Sequence, residues 1–259
     1  MLPAVACFDT AFHATLAPAA RTYALPEEWR QRWPLRRFGF HGLSHEYAAG
    51  RAAELMGRGD AGLRVVTCHL GAGASLCAVA GGRSVDTTMG FTPLEGLVMN
   101  TRSGSVDPGL VLWLVSEAGL DAAEVSTGLE RRSGLAGLTG TDGDLRKVLA
   151  AAGAGDARAA LAFDVYVHRL RREIAAMAAA MGGLDALAFT GGVGEHQPRV
   201  RAAAAEGLGF LGVAVDPARN AEVTGDGPIG LEGAAVAVLV VTAREDVQIA
   251  RHVRALLDP

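Results

Sequence analysis

Lysine is almost missing from this 259-residue chain: Lys147 stands alone among 24 basic side chains, so the handling of anions falls to arginine, histidine or backbone N–H groups. A GxxxxGK[ST] phosphate loop is absent. Cysteine is scarce, and Cys7, Cys68 and Cys77 make no CxxC pair, which argues against a disulfide framework and a zinc site. No apolar run reaches the roughly 18 residues of a membrane-spanning helix, although half of the chain is hydrophobic and its mean hydropathy is +0.23. The segment 1–10 lacks the charged start and long apolar centre of a signal peptide, so a reduced, cytoplasmic protein is expected. A net charge of -4 and a pI near 6.0, without a basic stripe, exclude nucleic acid as the natural partner. There is no repeat of 20 to 50 residues, no helix-turn-helix segment and no serine or cysteine nucleophile elbow.

Glycine, by contrast, numbers 34, about twice its usual share. The length corresponds to about 1.7 average domains, which allows one large or two small ones. Ala4–Phe8 reads as a short buried strand ending in Asp9, and 18–35 as an irregular Pro- and Arg-spotted stretch. Ser44 is placed to cap a helix over 45–56, with Gly57 and Gly59 to stop it. The runs 63–69, 74–80 and 83–87, separated by Gly71/Gly73 and by Gly81-Gly82, predict an antiparallel meander with tight turns. Helices are expected over 109–118, 144–152 and 156–181. In the last of these Phe163, Val167, Leu170, Ile174, Met177 and Met181 form one apolar stripe, best read as core. A buried strand at 187–190, a helix carrying 199–205, a strand at 234–241 and a final helix at 245–257 complete an α/β body.

Three segments combine glycine with polar residues. His69-Leu70-Gly71-Ala72-Gly73 lies between two strands, where backbone N–H groups can face a phosphate; an ordinary glycine hairpin is the competing reading. Thr190-Gly-Gly192-Val193-Gly194-Glu195-His196 follows a strand and opens a helix, which adds the helix N-terminal dipole. A third candidate runs from Thr139 to Arg146. Elsewhere, His41 and His45 share a glycine-broken loop, and Arg102 sits among small polar residues where a guanidinium would grip carboxylate or phosphate in bidentate fashion. Asp9 stands where open α/β sheets present ligand-binding groups, with capping of the next turn as the alternative role. Carboxylates, donors and glycine loops without a covalent nucleophile are the parts for phosphoryl transfer, which relies on positioning and charge neutralisation.

Six segments in order, 8–13, 38–45, 69–75, 91–96, 101–104 and 190–195, resemble signatures of the acetate kinase family (acetate and propionate kinases). The resemblance implies an actin-like ATPase domain of the sugar kinase/actin superfamily, ribonuclease H-like, with a mixed sheet flanked by helices. It implies a reversible, Mg2+-dependent transfer from ATP to acetate, giving ADP and acetyl phosphate, with propionate or butyrate as alternative acceptors. Asp9 matches the family's catalytic aspartate, and His41 and Arg102 the pair that stabilises the transferring phosphoryl group. Phe40 and Pro93 match the pocket for the substrate's methyl group. For ATP, His69, Leu70, Gly71, Ala72 and Gly73 match the phosphate turn. Asp144, Leu145 and Arg146 match a nucleotide-contacting segment, and Gly192, Val193, Gly194, Glu195 and His196 the loop under the adenosine. Glu245 matches a magnesium-associated glutamate. A homodimer that binds neither nucleic acid nor membrane is implied.

The chain departs from the family's pattern at Ala72, commonly asparagine, at Ala74, serine in some members, at Ser105, commonly aspartate, and at Ala243-Arg244, commonly Thr-Asn. It also carries no Asn-x-Gly-Ser-Ser-Ser-x-Lys loop. The expected division is therefore a remnant of an N-terminal domain at 1–13, a nucleotide-binding domain at 14–244, and a terminal helix at 245–259 that packs on the rest of that N-terminal domain. A nucleotide-binding fragment that needs a separate N-terminal half is the competing expectation.

Overall fold

A computed structural model describes residues 3–257. Runs of Val, Thr, Cys and Leu between glycine turns build the sheet. β1 (Arg64–Leu70), β2 (Ala74–Ala80) and β3 (Arg83–Thr87) pair antiparallel in sequence order, as expected. Gly81 and Gly82 both take positive φ, +57° and +73°, the requirement of a two-residue turn that matches strand twist. β4 (Ala186–Thr190), β5 (Gly227–Pro228) and β6 (Ala237–Val240) complete the order β3-β2-β1-β4-β6-β5. The β1–β4 and β4–β6 pairs are parallel, so the sheet is mixed.

Twelve α-helices lie among the described residues: α1 (Pro18–Arg21), α2 (Glu27–Arg32), α3 (Gly42–Leu55), α4 (Pro108–Ser116), α5 (Ala122–Arg131), α6 (Gly134–Thr139), α7 (Leu145–Gly153), α8 (Ala157–Ala180), α9 (Gly191–His196), α10 (Pro198–Glu206), α11 (Pro217–Glu222) and α12 (Glu245–Leu257). The α8 stripe Phe163, Val167, Leu170, Ile174 and Met177 is buried against the face that carries Val66, Cys68, Leu76, Leu187 and Phe189. On the opposite face Val65, Cys77, Val79, Ala186 and Leu239 meet Ala48, Ala49, Ala52 and Ala53 of α3. Small residues on α3 let it approach closely, and the central strands are buried on both sides, as parallel strands require. α12 has the expected bounds and packs along α3, where His252 Nε2 lies 2.9 Å from Glu46 Oε2.

Three expectations need correction. Ala4–Phe8 is not a strand: both sheet edges, β3 and β5, lie elsewhere, the segment has no ladder partner, and Phe8 is 70% exposed. Apolar composition alone cannot make a strand without a neighbour to share its hydrogen bonds. The stretch 18–35 is not wholly irregular, because Pro18 and Pro26 start the short helices α1 and α2. Ser44 does not cap α3, which begins at Gly42 after His41. The acceptor comes from Asp9, whose Oδ1 receives the Leu43 N–H at 3.4 Å.

Candidate active site

The site begins where parallel β1 and β4 end together, His69 beside Thr190. The two glycine turns that follow are therefore neighbours. At Gly191, φ is +76° and a Cβ would come within 2.8 Å of the Leu70 carbonyl oxygen, so only glycine lets the second turn pass the first. Between them opens a cavity of about 330 Å³ lined by Gly71, Ala72, Asp144, Leu145, Arg146, Gly192, Val193 and His196, with Asn100 and Gln197. All three glycine-containing segments singled out in the sequence thus meet at one cavity. Asn100 adjoins the segment 101–104 and Gln197 the segment 190–196, and neither carries a signal of its own in the sequence. A wider groove of about 410 Å³, lined by α10 residues and Val213–Pro217, shares none of these residues.

Asp144 caps α7 and pairs with Arg146 at 2.6 Å, which pulls its carboxyl down to about 2. Leu70, Gly194 and Glu195 do not line the cavity. Leu70 is core, Gly194 packs under Phe189, and Glu195 Oε1 accepts the Ala243 N–H at 3.0 Å, tying α9 to the approach of α12.

Beyond Gly71 the chain reaches a second cluster. A Cβ on Gly73 would lie 3.5 Å from Arg102 Nη1 and 3.6 Å from His41 Nε2, so both groups converge on one small space. Arg102 has no carboxylate partner among the described residues; its loop is held by Gly134, where φ is +62° and a Cβ would meet Met99 O at 2.2 Å. His41 stands in the left-handed region, φ +56° and ψ +29°, the one non-glycine residue with positive φ among those described. Its backbone N–H donates to Asp9 Oδ2 at 2.6 Å, and its Nδ1 meets Ser75 Oγ at 2.8 Å. The same hydroxyl lies 2.8 Å from His45 Nε2, and His45 Nδ1 is 2.8 Å from Thr67 Oγ1.

His69 stacks on His41, Nδ1 2.7 Å from Ser44 Oγ and Nε2 toward Gly71. Burial pushes the pKa of His69 down to about 3, with His41 adding to the effect. That of His41 is lowered by burial, opposed by Asp9 and aided by Arg102. Glu245, at the first turn of α12, is raised by burial and by the nearby Asp9 charge. Among the described residues neither carboxylate pairs with an arginine, and no group of three or more His, Cys, Asp or Glu side chains is gathered to hold a metal ion, so a hard cation would relieve the repulsion between the two only with further ligands from a bound phosphate. Phe40 packs on the core and Pro93 lies half-buried in the turn after β3.

A sequence profile described as the Acetokinase family matches residues 1–251. The chain belongs to this family. Among curated members, the acetate kinase of Gloeobacter violaceus is 54% identical over 251 residues, covering 97% of this chain and 62% of the relative. The acetate kinase of Leifsonia xyli subsp. xyli is 54% identical, with 97% and 63% covered. The chain thus spans about three-fifths of the length of these relatives. In three dimensions the acetate kinase of Porphyromonas gingivalis superposes with a TM-score of 0.94 at 40% identity, covering 97% of this chain and 63% of that one. A propionate kinase from Francisella tularensis gives 0.88 at 36% identity, with 94% and 62% covered. The α/β architecture with its mixed sheet is accordingly the actin-like ATPase fold of the acetokinase family.

Proposed function

We propose that this chain carries the nucleotide site and the phosphoryl-transfer centre of an acetate kinase. The observation that carries the proposal is the convergence of His41 Nε2 and Arg102 Nη1 beside Gly73, next to the cavity between the glycine turns. ATP would lie in that cavity with its phosphates along Gly71–Gly73, near His69 Nε2, and its adenosine over Gly192–His196. One carboxylate oxygen of acetate attacks the γ-phosphorus in line. The bond to the β–γ bridging oxygen breaks, ADP leaves with that electron pair, and acetyl phosphate forms. No proton is removed, because acetate is already ionised at pH 7.

Arg102 neutralises the equatorial oxygens as a fixed cation. His41 acts as a neutral donor through Nε2, since burial keeps the ring uncharged. This assignment requires Nδ1 to accept the Ser75 proton, Ser75 to accept from His45 Nε2–H, and His45 Nδ1 to accept from Thr67. The other acceptor open to Thr67, the Cys77 carbonyl, lies at 3.4 Å, beyond the normal O–H···O range. Asp9 and Glu245 would hold Mg2+ together with the nucleotide phosphates, and bound Mg2+ supplies neutralisation of phosphate charge. Asp9 also orients the acceptor through its fixed carboxylate.

Phe40 and Pro93 would bound the methyl pocket. Such a pocket separates substrates differing by one methylene by only about 1 to 3 kcal/mol, so propionate is a secondary substrate of the same class. α12, residues 245–257, would be the helix that joins the nucleotide domain, 14–244, to the rest of the enzyme, with the segment that leads to Asp9 entering from it. α4 presents Leu110, Leu112, Trp113 and Val115 to solvent and buries none of its residues, which favours a homodimer over a monomer. A cytoplasmic location goes with this reading.

The test is Arg102→Ala. Acetyl phosphate, trapped as the hydroxamate, should fall by about 10³-fold or more, while ATP affinity by calorimetry stays within a few-fold. A fully active variant overturns the assignment. A wild-type chain that binds ATP without turnover favours the nucleotide-binding body over the complete kinase.

A further inference from the structure

We propose that His13 is a positioning residue that holds the Phe40–His41 peptide in its left-handed setting, and so aims the His41 imidazole at the transferring phosphoryl group. The inference rests on the reading of His41 given above. His13 is only 2% exposed and sits in the 3-10 turn Ala11–Thr15 that follows Asp9. Its Nε2 lies 3.1 Å from the Phe40 carbonyl oxygen, and its Nδ1 lies 2.8 Å from Ser84 Oγ. A carbonyl only accepts, so Nε2 carries the ring proton and Nδ1 accepts from the Ser84 hydroxyl.

The Phe40 carbonyl and the His41 N–H are the two ends of one trans peptide group and point in opposite directions. His13 holds the first, and Asp9 holds the second at 2.6 Å. Rotating that peptide would break both bonds at once. The ring also lies directly on Gly39: a Cβ there would come within 2.5 Å of His13 Cδ2 and 2.6 Å of Cγ, and φ is +75°. Three consecutive residues, 39 to 41, are thus shaped by one imidazole and one carboxylate that lie four positions apart in the chain. Positive φ is uncommon for any residue other than glycine, even though histidine adopts it more readily than most, and His41 is the one such case among the described residues. The support is visible, and His13 supplies half of it.

The experiment uses the full chain with His13→Leu, which fills the space without a donor, and His13→Gln, whose amide N–H reaches the place of Nε2. The His41 backbone amide proton, shifted downfield by its short bond to Asp9, is followed by 1H–15N NMR, and acetyl phosphate formation is followed in parallel. In His13→Leu the amide proton should move upfield and kcat should fall by about 100-fold, the loss that a misplacement near 1 Å produces, with KM for ATP within twofold. In His13→Gln the amide shift should return, and kcat should recover to within about tenfold of wild type. If His13→Leu does not fold, Ser84→Ala, which frees the ring without removing it, should move the amide in the same direction.

A folded His13→Leu with an unmoved His41 amide and wild-type kcat overturns the proposal. So does a His13→Gln variant as impaired as His13→Leu. If the wild-type chain makes no acetyl phosphate, the kinase reading fails while the amide shift still decides the role of His13.

Discussion

The imidazole of His41 lies stacked on that of His69, ring centroids 4.3 Å apart and planes inclined by 21°. Both rings, together with His13 and His45, have lowered pKa values because burial penalises the charged form, and neighbouring histidines would repel one another if protonated. The unfolded chain takes up these protons near pH 6.5, whereas the folded chain resists them. The stabilising contribution is complete above pH 6.5 and is lost progressively as pH falls, down to about 3 for His69. Each histidine kept neutral contributes a slope of about 1.4 kcal/mol per pH unit in that window. Urea unfolding at pH 7, 6 and 5 should show stability falling by more than one proton's worth per unit; a flat profile would contradict it.

Gly73→Ala separates folding from function. The backbone there is not in the left-handed region, and the new methyl would make ordinary contacts at 3.5 to 3.6 Å. Stability should be unchanged or rise by about 0.4 to 1 kcal/mol. Because the methyl fills the space between His41 and Arg102, phosphoryl transfer should drop at least tenfold. Thermal unfolding and the hydroxamate assay on the same preparation check both halves.

Arg201→Met should destabilise the fold by about 3 kcal/mol. The Arg201 guanidinium is 1% exposed, its pKa pulled down to about 10 by burial, and it donates to the Gly194 and Glu195 carbonyls and to Asn220. Removing it strands these buried acceptors behind the α9 loop. Chemical denaturation measures the loss, and ATP affinity should weaken with it because Gly192–His196 loses its rear support.

Glu245→Gln should act in opposite senses on the free protein and on metal binding. Relief of the repulsion with Asp9 stabilises the unliganded chain slightly, while Mg2+ binding in the presence of ADP weakens at least tenfold. Calorimetric titration of Mg2+ into the ADP complex reads the second effect, and unchanged affinity would remove Glu245 from the metal site.

Much of the site is legible in the sequence. Its glycine segments, Arg102 and the histidine pair lie in short polar runs that interrupt apolar ones, and the meander shows in the spacing of Gly81-Gly82 between β-rich runs. The α12 bounds follow from an amphipathic pattern with Glu245 at its start. The supporting residues were harder to see. His13 and Ser75 stand inside recognisable segments but gain meaning only from partners 71 and 34 positions away. Arg201 resembles any surface arginine on a helix. Nothing in 4–8 distinguishes an apolar extended segment from a strand, because the missing ingredient is the neighbour.

The amino-acid sequence by itself determined the α/β class, the acetokinase family and the glycine-bearing segments that meet at one cavity, since these depend on local period and side-chain chemistry. Tertiary structure alone decided that Asp9 caps α3, that His13 and Asp9 clamp one peptide from both ends, and that Asn100 and Gln197 share the cavity between the glycine turns. Those relationships join residues far apart in the chain, and the angles and distances between them are set when both faces of one sheet are packed at once.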